Sequence, residues 1–196
     1  MHKLTISADD DFWINEKQLL GEIVFTSGEL VLIQGENGIG KSSFLQYLKR
    51  KQTSLLKGKC IFVDQSRVMP LNDLSFKDAK KVFKPYQFEK LDIYSDYEQY
   101  ILPYIDKPIG QLSGGQNQMI KIMLGLYLSG DIFFFDEPLQ FLDQKNKKLF
   151  LELLTSLKKR DKAICIIEHN KKDLAHLIDT CFNLEISGMY LKLGAI

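Results

Sequence analysis

The feature that most limits the possible folds is a glycine-rich loop placed between an apolar run and a helix-like segment. Residues 30–33 are all apolar, and residues 35–42 read Gly-Glu-Asn-Gly-Ile-Gly-Lys-Ser. This spacing matches the pattern G-x-x-x-x-G-K-[ST], in which backbone N–H groups and a helix start surround a phosphate. Residues 42–50 have helical composition, so strand, loop and helix occur in the order that the motif requires. The sequence therefore predicts a phosphate-binding loop within an α/β fold.

The loop predicts separate roles for its lysine and serine. Lys41 supplies a mobile positive charge for the β- and γ-phosphates, and the hydroxyl of Ser42 is placed to bind Mg²⁺. The residues expected to hold the nucleotide phosphates are Gly35, Glu36, Asn37, Gly38, Ile39, Gly40, Lys41, Ser42 and Ser43. Taken alone, this loop indicates a bound nucleotide and nothing more specific.

Two adjacent carboxylates follow a second apolar run. Residues 132–135 read Ile-Phe-Phe-Phe and are followed directly by Asp136, Glu137 and Pro138. Because side chains alternate along a strand, the two carboxylates point in different directions. We expect Asp136 to serve the Mg²⁺ ion, and Glu137 to face the γ-phosphate and polarise a water molecule. The alternative is a pair of solvated loop carboxylates.

A second helix start with anion-binding chemistry precedes these carboxylates. After Leu112 the sequence reads Ser113, Gly114, Gly115 and Gln116, and a helical pattern follows. The N–H groups, the serine hydroxyl and the helix dipole make such a start attractive to an anion. The alternative is an ordinary glycine-rich helix cap. One chain thus carries two such starts, although the near side of a nucleotide needs only one.

With these three motifs in this order, the chain resembles the ATP-binding subunit of ABC transporters over nearly its whole length. The resemblance implies a P-loop NTPase core with a mainly parallel sheet, N-terminal antiparallel β strands and a small helical lobe. It implies one domain over residues 1–196, with the lobe at about 67–128 docking an integral membrane subunit on a separate chain. It also implies ATP and Mg²⁺ as ligands, and a head-to-tail dimer whose second helix start contacts the ATP of the partner ATP-binding subunit.

The resemblance assigns roles to further residues. Gln65 matches a glutamine that contacts Mg²⁺ and the attacking water, and His169 matches a switch histidine at the γ-phosphate. Asp143 matches an aspartate that crosses the dimer interface. The adenine-stacking aromatic is expected at Trp13, with Phe12 as the alternative. One departure is that residues 139–141 read Leu-Gln-Phe where the family usually has Thr-Ser-Gly, so the interface around them differs.

Composition excludes several other classes of protein. The 196 residues are 45% hydrophobic and 26% charged, which is typical of a globular domain. The net charge of +1 argues against a dedicated nucleic-acid surface. Cys60, Cys165 and Cys181 form no C-x-x-C pair, so neither a zinc site nor a disulfide framework is predicted, and a reducing compartment is expected.

Membrane targeting is expected only through a partner. No signal-peptide pattern appears, and no segment reaches the ~20 apolar residues of a membrane-spanning helix. Together with the resemblance, this predicts a cytoplasmic protein that is peripheral on the inner face of the membrane.

Periodicity predicts the remaining elements. Strands are expected at 3–7, 22–26, 29–34, 59–63, 132–135, 163–167, 181–186 and 189–193, and helices at 42–50, 114–129, 144–159 and near 171–178. The turn at Ser27 and Gly28 predicts a hairpin between the second and third strands.

The leading functional hypothesis is an ATPase subunit that powers transport through a separate membrane protein. A soluble ABC-type ATPase acting on chromosomes or ribosomes is the rival. Chromosome proteins of this type carry a long heptad coiled coil, which is absent here, and the translation factors carry two such domains. A third hypothesis, a module that binds but does not hydrolyse ATP, is disfavoured by Lys41, Asp136, Glu137 and His169.

Overall fold

The computed structural model describes residues 3–7, 13–14, 17–55, 60–63, 73–83, 101–128, 130–188 and 190–195. Within these residues the strands are β1 (Lys3–Ser7), β2 (Trp13–Ile14), β3 (Lys17–Leu20), β4 (Glu22–Thr26), β5 (Leu30–Gly35), β6 (Cys60–Val63), β7 (Ile132–Asp136), β8 (Ala163–Ile167), β9 (Thr180–Ser187) and β10 (Tyr190–Ala195). The helices are α1 (Lys41–Leu55), α2 (Phe76–Phe83), α3 (Gly114–Tyr127) and α4 (Gln144–Lys159), and short 3₁₀ turns lie at Leu102–Tyr104 and Ile109–Gln111.

An eight-stranded sheet organises the molecule, with the strand order β2-β3-β10-β9-β5-β8-β7-β6. Strands β6, β7, β8, β5 and β9 pair in parallel, whereas β10 runs antiparallel to β9. The register pairs Ile33 with Ile167, and Ile167 with Asp136. The carboxyl ends of β5, β7 and β8 therefore meet at one edge of the sheet, which is where α/β proteins bind ligands.

Helices cover both faces of the parallel strands, as parallel sheets require. Side chains of α3 and α4 share a buried apolar cluster with Phe133 and Phe135 of β7, and α1 shares a second cluster with Phe134. The ring of Phe134 stacks on Phe62 at 4.6 Å, and the ring of Phe150 meets Phe135 edge-on at 5.3 Å. The three consecutive phenylalanines thus alternate between the two apolar layers, which fixes the direction of the side chains at the end of β7.

A close approach between α3 and the sheet depends on one glycine. A β-carbon on Gly125 would overlap Cγ2 of Val63 in β6. Helix α3 therefore packs directly on the sheet at this point.

The fold class is confirmed: the molecule is an α/β protein with a mainly parallel core and additional antiparallel strands. The hairpin prediction is wrong, because β4 pairs with β1 in a separate two-stranded sheet while β5 enters the parallel sheet. Gly28, with φ of +81°, donates its N–H to Lys162 at 3.2 Å, so the turn transfers the chain from one sheet to the other.

The helix predicted near 171–178 is also wrong. Residues 172–177 form successive turns, in which the N–H of Leu174 bonds to Lys171 and that of Leu177 bonds to Leu174. Both leucines are buried. The hydrogen bonds run from residue i to residue i−3 and not to i−4, so the segment forms consecutive turns and not an α-helix.

The predicted helical lobe is described in part. Around α2, the residues Phe76, Ala79, Ile101 and Ile109 share an apolar cluster with α3. Residues 64–72 and 84–100 lie outside the described residues, so the extent of the lobe stays a prediction. Within the described residues, no helix has the length and apolarity needed to cross a membrane. All three cysteines are free thiols buried in the protein.

Candidate functional site: a phosphate pocket at the sheet edge

A cavity of about 470 Å³ opens where β5, β7 and β8 end. Its lining residues are Asn37, Gly38, Gly40, Lys41, Ser42, Ser43, Glu137, Gln140 and His169. The structure therefore brings the predicted phosphate loop, the predicted base and the predicted switch histidine to one pocket. Gln140 was not anticipated from the sequence.

The path of the loop favours glycine at Gly35, Gly38 and Gly40, all of which have a positive φ. Gly38 has φ of +76°, a conformation that side chains with a β-carbon rarely adopt. At Gly35, an added β-carbon would lie 2.7 Å from the carbonyl oxygen of Leu184 in β9. From Glu36 to Ile39 the loop turns back on itself, since the N–H of Ile39 donates to the carbonyl oxygen of Glu36 at 3.4 Å. The loop is thus held tightly over the start of α1.

Lys41 lies at the floor of the pocket and is only 5% exposed. Its ammonium donates to the carbonyl oxygens of Gly35 and Glu36, both at 2.8 Å. Burial lowers the pKa of Lys41, and the carboxylates of Glu137, Asp136 and Glu168 oppose this shift. The lysine charge is therefore fixed on the loop and faced by carboxylates from the neighbouring strand ends.

His169 connects this lysine to Glu137. Its Nε2 atom lies 2.7 Å from Oε1 of Glu137, and its Nδ1 atom lies 3.4 Å from Nζ of Lys41. A neutral imidazole with the proton on Nε2 satisfies both contacts, because Nε2 then donates to the carboxylate while Nδ1 accepts from the ammonium. The backbone of Glu137 is held as well, since its N–H donates to the carbonyl oxygen of Ile167 at 2.9 Å, and its φ is +46°.

The residues predicted to bind Mg²⁺ fit that ion chemically. Asp136 is 6% exposed at the end of β7, and its charge acts on Lys41. Ser42 is exposed and lines the pocket. Carboxylate and hydroxyl oxygens suit this hard cation, which usually takes its other ligands from water and phosphate. Within the described part of the chain, no group of three His, Cys, Asp or Glu side chains is arranged to hold a metal.

The second helix start borders a different cavity, of about 780 Å³. Ser113 caps α3: its hydroxyl accepts from the N–H of Gln116 at 3.3 Å, and the Gln116 side chain accepts from the Ser113 N–H at 3.0 Å. Gly114 and Gly115 line the same cavity. Among the described residues, the two cavities share no lining residue, so the two helix starts border separate cavities.

The loop that follows Glu137, residues 138–143, runs from the cavity lined by Lys41 to the cavity lined by Ser113. Asp143 caps α4 by accepting from the N–H of Asn146 at 2.8 Å. Phe141 stands where the family usually has glycine and keeps a glycine-like backbone, with φ of +65° and 69% of its surface exposed. A β-carbon on Gly115 would lie 2.6 Å from the carbonyl oxygen of Phe141. The loop and the start of α3 are therefore in tight contact.

Three predicted site residues lie wholly or partly outside the described part of the chain. Gln65 and Phe12 lie outside the described residues. Trp13 begins β2, where its backbone pairs with Gln18, and its side chain is not described. The adenine contact therefore stays a prediction.

Sequence reasoning missed two buried polar residues next to the site. Glu168 is 8% exposed and accepts from the N–H groups of Leu139 at 3.1 Å and His169 at 3.2 Å. Burial raises the pKa of Glu168, while the two N–H donors oppose the rise. Gln118, on α3, donates to the carbonyl of Pro138 at 3.5 Å. Glu168 had a usable signal, since it follows a buried strand just as Asp136 does.

Comparison with known proteins gives a consistent family. Residues 22–140, more than half of the chain, match the model of the ABC transporter family. The translation initiation factor RLI1 of Chaetomium thermophilum is 27% identical over 165 residues, which cover 79% of this chain and 26% of that protein. The manganese transport system ATP-binding protein MntB of Listeria innocua is 28% identical over 177 residues, covering 78% of this chain and 74% of that protein.

A solved structure of an ATP-binding subunit of an ABC transporter agrees in fold. It superposes with a TM-score of 0.75 and 15% identity, covering 99% of this chain and 90% of that one. The chain thus spans about a quarter of the length of RLI1 and about three quarters of MntB. Because the family model matches more than half of its residues, the chain belongs to the ABC transporter family and is an ABC ATPase domain.

Proposed function

We propose that this chain binds and hydrolyses ATP as a subunit that dimerises around two ATP·Mg and powers transport through a separate membrane protein. The observation that carries the proposal is that two glycine-rich helix starts of one chain, at Lys41 and at Ser113, border separate cavities. The loop at Lys41 holds the chain's own ATP, and the start at Ser113 contacts the ATP of a second ATP-binding subunit. Each complete site then needs both chains.

Within the pocket, Glu137 is the general base. Its carboxylate accepts a proton from the attacking water as that water approaches the γ-phosphate, and the hydrogen bond from His169 fixes its orientation. The lysine ammonium and the loop N–H groups stabilise the charge that develops on the phosphate oxygens. Catalysis therefore depends mainly on positioned charges, part of which this chain supplies and part of which the Ser113 helix start of the second chain supplies.

Asp136 and Ser42 are proposed to hold the Mg²⁺ ion together with Gln65. When bound, the ion supplies neutralisation of the negative charge on the β- and γ-phosphate oxygens. Trp13 is proposed to stack on the adenine ring, which gains contact area and stacking energy.

Transport is supported by the match to MntB, whose name describes a manganese transport system, over most of both chains. The membrane subunit is proposed to dock on the helical lobe around α2, with this chain on the cytoplasmic face of the membrane. A second candidate is a non-transport ATPase that acts on a macromolecular complex such as the ribosome. It is favoured by the match to RLI1, a translation initiation factor.

Nucleotide chemistry is tested with the purified chain. We expect phosphate release from ATP that depends on Mg²⁺, and ATP-dependent dimerisation detected by light scattering. Lys41→Ala is expected to weaken ATP binding about 10- to 100-fold, because hydrogen bonds to charged groups contribute about 1.5–3 kcal/mol. Unchanged affinity in this variant would exclude Lys41 from the phosphate site.

The partner is tested by fractionation of cells that express a tagged chain. Co-purification of an integral membrane protein from detergent-solubilised membranes supports transport. Sedimentation of the chain with ribosomes, with no membrane protein recovered, supports the second candidate and contradicts the first.

A further inference from the structure

A buried carboxylate connects the two segments that carry the proposed base and the proposed switch histidine. Oε1 of Glu168 accepts from the N–H of Leu139, and Oε2 accepts from the N–H of His169. Leu139 lies two residues after Glu137, in the loop that leaves β7. One side chain at the end of β8 thus holds the backbone on both sides of the hydrogen bond between Glu137 and His169.

The same loop is also held from α3. Gln118, 7% exposed, donates to the carbonyl of Pro138, and the carbonyl of Phe141 lies tightly against Gly115. The loop therefore connects the phosphate pocket to the Ser113 helix start, with Glu168 on one side and α3 on the other. Movement at Leu139 would change the geometry at both ends.

Stability alone is a poor explanation for this carboxylate. Burying an ionisable group costs free energy, and well-packed apolar side chains often stabilise a protein at least as well. The five residues of β8 that precede Glu168 are all apolar or cysteine and all buried. The two backbone hydrogen bonds are what distinguish Glu168 from them, and both lead to the site.

We propose that Glu168 is a positioning residue that sets the geometry of the Glu137–His169 pair and the path of the loop toward the second anion site. This inference rests on the proposed ATPase function. Glu168 acts through the backbone N–H groups of Leu139 and His169, which donate to its two carboxylate oxygens.

Two substitutions of similar length separate hydrogen bonding from packing. Glu168→Gln keeps one acceptor oxygen, and Glu168→Met keeps none. We expect kcat to fall about tenfold in Glu168→Gln and further in Glu168→Met, because small misplacements of reacting groups cost up to about 100-fold. ATP affinity should change less than kcat in both, since the hydrogen bonds of the phosphate loop stay in place and only the charge of Glu168 that acts on Lys41 is removed. Glu152→Gln, an exposed position on α4, is the matched control and should behave as wild type.

Hydrogen exchange supplies a readout that does not depend on turnover. The amide of Leu139 should exchange faster in Glu168→Met than in wild type, while amides of β8 should be unchanged. Equal kcat per folded molecule in all variants overturns the proposal, as does an unchanged exchange rate at Leu139. A wild-type chain that binds ATP but never hydrolyses it contradicts the proposed function instead, and the exchange measurement still decides the role of Glu168.

Discussion

The Nε2 atom of His169 lies 2.7 Å from Oε1 of Glu137, although the two residues are separated by 32 positions in the chain. The parallel register of β7 and β8, which pairs Asp136 with Ile167, places the two side chains at adjacent strand ends. The proposed base is thus held by a neighbour that also contacts Lys41.

Glu137→Gln should abolish turnover while preserving ATP binding. The amide cannot accept the proton from water, and general-base catalysis contributes about 10²- to 10⁴-fold. Because the phosphate loop is intact, we expect ATP to trap a dimer that is visible by light scattering. Full hydrolysis by this variant contradicts the role assigned to Glu137.

A mixture of two inactive variants tests the shared site. Ser113→Arg chains should bind ATP through their own loop but fail as homodimers, because both sites lose the opposing helix start. Combined with Lys41→Ala chains, they should regain one working site, in which an intact loop faces an intact Ser113. The measurement is ATPase rate against mixing ratio, with heterodimer formation checked separately. If heterodimers form and the rate never exceeds that of the parents, the shared-site model fails.

Gly125→Ala should destabilise the fold even though alanine favours helices. The added carbon would overlap Val63, and overpacking costs about 1–3 kcal/mol, against about 1 kcal/mol gained from helix propensity. In a Val63→Ala background the overlap is relieved, so the same change should cost less or become stabilising. Urea unfolding of wild type, the two single variants and the double variant gives the coupling free energy between the two positions. Strictly additive changes in unfolding free energy would contradict the predicted contact.

Asp143 should contribute to stability apart from any contact with a second subunit. It caps α4, and replacing a capping aspartate with alanine costs about 0.5–2 kcal/mol. Asp143→Asn keeps a capping oxygen and should retain the melting temperature, whereas Asp143→Ala should lower it. Equal melting temperatures for the two variants would show that the cap is energetically unimportant.

Glu168 should make stability depend on pH in a defined direction. Burial raises the pKa of Glu168 above its ordinary value of 4.5 in the folded state. Its contribution is therefore full below that value and is lost as the pH rises through the folded pKa. The unfolding free energy of wild type relative to Glu168→Gln should fall as the pH rises above about 4.5 and then level off. Denaturant titrations across this range check the sign; a constant or rising difference would contradict the buried environment.

The sequence determined the chemistry of the site because that chemistry is local. A glycine-rich turn before a helix forms a phosphate loop from consecutive residues, so Lys41 and Ser42 were identifiable from spacing alone. The capped start at Ser113 is equally local, and the apolar runs placed Asp136 and His169 after strands, whereas the role of His169 was assigned from the family resemblance. The strong 3.6-residue pattern of α4 likewise predicted its bounds correctly.

Only the tertiary structure decided which strands pair and which polar groups become buried. The turn at Gly28 is compatible with a hairpin between β4 and β5. Instead, β4 pairs with β1 and β5 pairs with β8, and both pairings join strands that the turn does not connect. The segment at 172–177 has helical composition, yet its backbone forms consecutive turns with i→i−3 hydrogen bonds at Leu174 and Leu177. Glu168 looked like an ordinary residue after a strand. Its two hydrogen bonds exist because Leu139 is brought beside it from 29 residues away, a relationship that depends on packing and that local pattern does not encode.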